Sequence, residues 1–290
     1  MRVAVTGSSG FLGKRLVSKL LSVPDIEIVA FTSNVDMMKC DFQDKNVEIY
    51  NRNDFYGDQL NNIDVFVNCA FPRNNDGNEM AKGLGYISNI FQVAKIKNVG
   101  AMINISSQSV YSQIRTSFAD EKEPICLESV YAVGKYASEL LTNNMFRDIK
   151  HTNIRMASLI GPGLEQRVVN KLVNNALKEK MLYVSEDNMR FGFMDVDDAV
   201  EALIKIIHMT EIHWEEVYNV GVQESVTLVD MANSIKQELR KRSLEVSIKL
   251  SKGTNVLNTS LNCSNFNSTF NFRPQYTLAD TIKKIIDAKI

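Results

Sequence analysis

Apolar positions along this chain recur in two alternating periods. Val3-Ala4-Val5 is a short continuous run, as in a strand covered on both faces, and after Thr6 the positions Leu12, Leu16, Val17, Leu20 and Leu21 fall on one face of a helix. The same alternation continues downstream. Strands are predicted at Ile26 to Phe31, Val47 to Tyr50, Ile63 to Ala70, Ala101 to Ile105, Thr152 to Leu159, Phe191 to Asp198 and Val217 to Val220. Helical spacing marks Ile87 to Val99, a segment beginning near Ser129, Val168 to Leu177, the acid-capped Asp197 to Ile204, a helix capped by Thr227, and a last one from Leu278 to Ile286. The stretch Asn255 to Asn271, rich in Asn, Ser and Thr, predicts a loop. Strands alternating with helices call for a parallel sheet with right-handed crossovers.

The first turn brings in chemistry. Thr6-Gly7-Ser8-Ser9-Gly10-Phe11-Leu12-Gly13 places three glycines between a strand and a helix, spaced Gly-x-x-Gly-x-x-Gly. Glycine lets the backbone approach a ligand closely, and a helix start carries unpaired N–H groups and partial positive charge, which suits a pyrophosphate. The fold class expected is therefore a Rossmann-like, doubly wound α/β sheet, with a dinucleotide-binding domain over 1–163, to which 194–213 returns, and a smaller α+β substrate-binding region over 164–290. At the end of the second strand Thr32, Ser33 and Asn34 stand where a carboxylate would accept hydrogen bonds from a ribose 2′-hydroxyl. Small polar side chains tolerate a 2′-phosphate better than a carboxylate does, although no arginine adjoins them. The cofactor expected is NAD or NADP, the balance favouring NADP.

Composition excludes several classes. Charged residues are 23% of the 290 and the formal net charge is −1, so nothing draws the chain to nucleic acid or an anionic membrane. Arg240-Lys241-Arg242 reads as a solvated helix end. Cys40, Cys69, Cys126 and Cys263 lie far apart without metal-ligand spacing, and His151, His208 and His213 join no cluster, so no metal is expected. No run approaches the ~18 apolar residues of a membrane span, and the N-terminus lacks the pattern of a signal peptide. A cytoplasmic protein is expected.

Further along, Ala101 to Ile105 runs into Ser106-Ser107-Gln108-Ser109-Val110-Tyr111 at the carboxyl end of a strand, where open α/β sheets bind ligands. Tyr131 and Lys135 are four apart, one helical turn from each other. Gly134 between them costs about 1 kcal/mol relative to alanine, which points to another group passing close to the helix there.

With these pieces in order the chain resembles the extended short-chain dehydrogenase/reductase superfamily, in its NAD-dependent epimerase/dehydratase group acting on sugar nucleotides. Thr6 to Gly13 is similar to that group's glycine signature, Ser106 to Tyr111 to its Ser-Ser-x-x-Val-Tyr-Gly segment, and Tyr131 with Lys135 to its Tyr-x-x-x-Lys pair. Arg155 to Gly163, Phe193 to Asp198 and Phe270 to Pro274 resemble later motifs. The resemblance implies Ser107, Tyr131 and Lys135 as catalytic residues. It also implies cofactor contacts from Gly7, Ser9, Gly10, Phe11, Leu12, Gly13, Thr32, Ser33, Asn34, Ala70, Tyr131 and Lys135, a nucleotide-sugar substrate, and a homodimer. Ser112 and Ser158 stand where the group carries glycine and asparagine. Gln108-Ser109 replaces the Asp-Glu pair of the dehydratases and argues against water elimination, while the fucose-synthase cysteine and histidine have no counterpart. What remains is an epimerase with hydride transfer at a sugar carbon, C4 foremost. Its rivals are an NADPH-dependent ketoreductase of a 4-keto nucleotide-sugar and a non-catalytic dinucleotide sensor.

Overall fold

The structure is a computed structural model and describes residues 1–43, 45–72 and 76–290. In chain order the elements are β1 (Arg2–Thr6), α1 (Phe11–Leu20), β2 (Glu27–Thr32), α2 (Val35–Asp41), β3 (Val47–Asn51), β4 (Val65–Asn68), α3 (Gly77–Ile96), β5 (Ala101–Ser107), α4 (Val130–Met145), β6 (Lys150–Met156), β7 (Ser158–Ile160), α5 (Val168–Glu179), β8 (Met181–Arg190), β9 (Phe193–Asp195), α6 (Val196–His208), β10 (Val217–Val220), α7 (Leu228–Arg240), β11 (Ser247–Asn258), α8 (Ser264–Thr269) and α9 (Leu278–Asp287).

Seven strands form one sheet in the order β10-β6-β5-β4-β1-β2-β3, the doubly wound arrangement expected. The pairs β1–β2, β1–β4, β2–β3 and β4–β5 are parallel, with Val3 opposite Ile28 and Val65. Because side chains alternate across a strand, Ala4, Val29, Phe31, Phe66 and Met102 share one face, packed with Ile87, Ile90, Phe91 and Ala94 of α3. Their neighbours Val3, Val5, Ile28, Ala30, Val65 and Val67 face the other way and are as deeply buried. Burial on both faces is why these strands read as unbroken apolar runs.

The chain gathers into two units, one of Met1–Tyr111, Ile125–Arg155 and Val200–Tyr218, the other of Ser112–Pro124, Met156–Ala199 and Asn219–Ile290. The second has its own core, in which α5, α7 and α9 bury Val169, Val173, Ile235, Leu239, Ile282 and Ile286 with Leu182 and Val184 of β8. The parallel pair β8–β11 was not foreseen. Its strands alternate buried Leu182 and Val184 with exposed Tyr183 and Leu250, too weak a pattern in sequence.

Other expectations are corrected. The predicted loop from Asn255 to Asn271 holds the end of β11 and the helix α8, which packs Phe266 against Phe270 and Phe272. Aromatic burial overrode the polar composition there. The strand expected over Thr152 to Leu159 divides at Ala157 into β6 and β7, and that over Phe191 to Asp198 shortens to β9 because α6 begins at Val196. No helix of the described residues is long and apolar enough to cross a membrane.

Candidate active site

The glycine turn is built as its spacing requires. Gly7 has φ +62°, and a Cβ there would lie 2.7 Å from the Ala70 nitrogen, so the backbone of β1 runs directly beside the end of β4. Gly10 N–H donates to the Gly7 carbonyl at 2.9 Å, and a Cβ on Gly13 would come within 2.4 Å of that same oxygen. The first turn of α1 therefore folds back tightly on the loop. Gly10 is the N-cap of α1 with no side-chain cap, and no acidic residue stands in the first turn. The helix end has a close-packed glycine cradle that any Cβ would fill, with donors left to an anion, and this fits a dinucleotide pyrophosphate. Ser9 and Phe11 are half-buried, whereas Leu12 turns its side chain into the core. At the end of β2, Thr32 is buried with its hydroxyl accepting from Asn34 N–H at 2.9 Å, and Ser33 and Asn34 are exposed.

Ser107 is the last residue of β5. Its hydroxyl oxygen caps the following 3-10 turn by accepting from Ser109 N–H at 3.2 Å, and the Ser109 hydroxyl lies 3.0 Å away. Tyr131 and Lys135 lie in the first turns of α4, which starts where Ser129 accepts from Ala132 N–H at 3.1 Å. Lys135 is 4% exposed. Its ammonium donates to the Ile105 carbonyl at 2.6 Å, two residues before Ser107, and lies 4.0 Å from the ring centroid of Phe71 and 5.9 Å from that of Tyr131. Phe71 meets Tyr131 edge-on at 5.6 Å. The lysine thus joins β5 to the tyrosine's turn of helix. The Cys69 thiol nearby is pushed up to about 12 by burial, with the Lys135 charge opposing.

Sequence reasoning missed the support beneath this group. Glu139, one turn beyond Lys135, pairs with Arg155 of β6 at 2.7 Å and accepts the Ser106 hydroxyl, and Arg155 also donates to the Tyr111 hydroxyl at 2.9 Å. Burial works against the Arg155 charge, but hydrogen bonds and charge from Glu139, with Tyr111, outweigh it and hold the guanidinium above its ordinary range. The spacing Tyr131, Lys135, Glu139 was the available signal, since it lines three functional groups along one helix face. A second network runs across the sheet: Thr6 to Asn68 at 2.7 Å, Asn68 to Asn104 at 2.9 Å, and Asn104 to Ser138 at 3.1 Å and Asn153 at 2.9 Å. It connects the glycine strand with α4 through side chains that are all buried. The group passing close to Gly134 is Met80 of α3, whose sulfur would be 2.1 Å from a Cβ.

In the second unit the aspartates of the Phe193 to Asp198 motif tie down the C-terminal segment. Asp198 accepts from the backbone of Gln275 and Tyr276, while Lys284 of α9 pairs with Asp195 at 2.9 Å and with Asp197. Among the described residues no group of three or more His, Cys, Asp or Glu side chains could hold a metal ion.

The model of the NAD dependent epimerase/dehydratase family matches residues 3–221. The chain belongs to this family. Among its relatives, Protein CapI of Staphylococcus aureus is 24% identical over 99% of this chain and 98% of its own length. UDP-glucuronic acid decarboxylase 2 of Arabidopsis thaliana is 27% identical over 82% of this chain, which spans 57% of that protein. The fold matches a crystal structure of UDP-glucuronic acid 4-epimerase from Bacillus cereus, in complex with UDP-glucuronic acid and NAD, at a TM-score of 0.83 and 18% identity, covering 99% of this chain and 98% of that one. In this chain Lys135 of α4 reaches the Ile105 carbonyl near the carboxyl end of β5, the strand that ends at Ser107.

Proposed function

We propose that the chain is an NAD(P)-dependent epimerase of a nucleotide-sugar, transferring hydride at one sugar carbon, C4, with Tyr131 as acid and base. The observation that carries this is the buried Lys135 ammonium, fixed between the Ile105 carbonyl and the faces of Phe71 and Tyr131. A positive charge held there favours a deprotonated phenol. Tyr131 then takes the proton of the sugar hydroxyl, and Ser107 holds the reacting oxygen by a hydrogen bond. The dinucleotide, when held by Gly7, Ser9, Gly10, Phe11, Leu12 and Gly13 with Thr32, Ser33, Asn34 and Ala70, supplies the hydride acceptor. Gln108 and Ser109 stand where the dehydratases carry an acid pair, which argues against water elimination.

The UDP-sugars named for the relatives make UDP-hexoses and UDP-hexuronic acids the first substrates to assay, by NMR of the sugar configuration. Tyr131→Phe is expected to leave dinucleotide affinity within a few fold and to remove most turnover; unchanged turnover would reject Tyr131 as the base. Dinucleotide that copurifies and resists dialysis marks the epimerase, and loosely held NADPH consumed in the reaction marks a ketoreductase. The setting proposed is the cytoplasm, where free thiols such as the exposed Cys40 and Cys126 persist.

A further inference from the structure

Strands β2 and β3 join a cation to the polar residues that sequence reading left without one. Thr32 and Asn51 are partners in the parallel register, and Arg52 N–H donates to the Thr32 carbonyl at 2.7 Å. Arg52 therefore stands at the carboxyl end of β2, next to Thr32, Ser33 and Asn34. It is exposed, and its guanidinium lies 4.4 Å from the ring centroid of Tyr86 in α3. Among the described residues no carboxylate pairs with it. Tyr86 is itself held edge-on by Phe55 at 5.9 Å, and burial pushes its hydroxyl up to about 12, the Arg52 charge opposing, so the ring is a neutral platform. A guanidinium stacked on an aromatic face keeps its planar fork of donors presented at the edge, which suits phosphate.

The end of β2 is where dinucleotide folds distinguish the two cofactors. A carboxylate there accepts from the 2′-hydroxyl and repels a 2′-phosphate, whereas an arginine nearby accommodates the phosphate. Here the three residues at that position carry no charge, and the neighbouring strand supplies Arg52. We propose that Arg52 reads the adenosine 2′ position and selects a dinucleotide bearing a 2′-phosphate, unlike the NAD in the Bacillus cereus 4-epimerase complex. This rests on the glycine turn being the dinucleotide site. The first acidic residue after β2 is Asp36, exposed in the opening turn of α2, and it is the rival reader of a 2′-hydroxyl.

Calorimetric titration of the full chain with NADP+, NAD+, 2′,5′-ADP and 5′-ADP tests the assignment without turnover. NADP+ is expected to bind about 10-fold or more tighter than NAD+, and Arg52→Met to weaken NADP+ by roughly 10- to 100-fold, the size of one charge-assisted contact, with NAD+ changed by less than about 3-fold. Arg52→Lys keeps the charge without the fork and recovers part of the loss. Asp36→Asn leaves the NADP+ to NAD+ ratio in place. Tighter binding of NAD+ to the unaltered chain, an equal loss of both dinucleotides in Arg52→Met, or a ratio changed by Asp36→Asn and not by Arg52→Met overturns the proposal and leaves the glycine site standing. If a folded chain binds neither dinucleotide, the site reading falls and Arg52 falls with it.

Discussion

Replacing Glu139 by glutamine keeps the side-chain volume and removes one charge from the pair behind the candidate site. The Arg155 and Glu139 side chains are 6% and 4% exposed and meet at 2.7 Å, and Arg155 Nε also reaches both carboxylate oxygens at 3.1 and 3.2 Å. With an amide there, one acceptor becomes a donor facing a guanidinium that can only donate. The guanidinium then remains buried without its counter-charge. Breaking one side of a buried pair costs about 3–5 kcal/mol, against a total stability on the order of 5–15 kcal/mol. A second variant separates charge from packing. Glu139→Gln combined with Arg155→Met removes both charges, and because replacing a buried pair by apolar volume is often neutral, it is expected to be more stable than Glu139→Gln alone. Urea unfolding of the unaltered chain, the two single variants and the double variant closes the cycle, with a coupling of several kcal/mol expected. A Glu139→Gln cost below about 1 kcal/mol, or a double variant that merely sums the singles, would refute the reasoning. Because Glu139 also accepts the Ser106 hydroxyl beside Ser107, the same single variant is expected to lower kcat.

Three further outcomes follow from the same geometry. Gly134→Ala places a Cβ 2.1 Å from the Met80 sulfur, so Met80 must move to admit it, and the variant is expected to fall short of the ~1 kcal/mol that alanine otherwise gains over glycine inside a helix; a thermal melt showing the full gain would be inconsistent with that contact. Between the ordinary tyrosine value of 10.0 and the value of about 12 for Tyr86, the unfolded chain has lost a proton that the folded chain keeps, so stability falls as pH rises through that window; denaturant titrations should show a shallower alkaline decline for Tyr86→Phe. Val130, Val133 and Leu140 form an exposed apolar stripe on α4, at 37%, 48% and 53% exposure, which supports the homodimer that the family resemblance implies. Sedimentation should give a dimer for the unaltered chain and a monomer for Leu140→Glu, and a monomer for both removes the expectation.

Local patterns in the sequence were sufficient for the parts of this protein whose physics is local. Three glycines between an apolar run and an amphipathic helix specify a turn that bulkier residues cannot make, and Tyr131 with Lys135 share a helix face by spacing alone. The unbroken apolar runs Val3 to Val5, Ile28 to Phe31 and Val65 to Val67 mark strands buried on both faces, as a doubly wound sheet requires. Pairings between distant segments were decided by the fold. Arg155 meets Glu139 only because β6 lies beside β5 and under α4, and Arg52 reaches the end of β2 only through the register of β3. A charged side chain in sequence carries no mark of the partner that tertiary packing will bring to it, because that pairing depends on strand order and helix placement, not on neighbours along the chain. The helix α8 shows the same limit, since Phe266, Phe270 and Phe272 could bury together only once the rest of the second unit gave them a core.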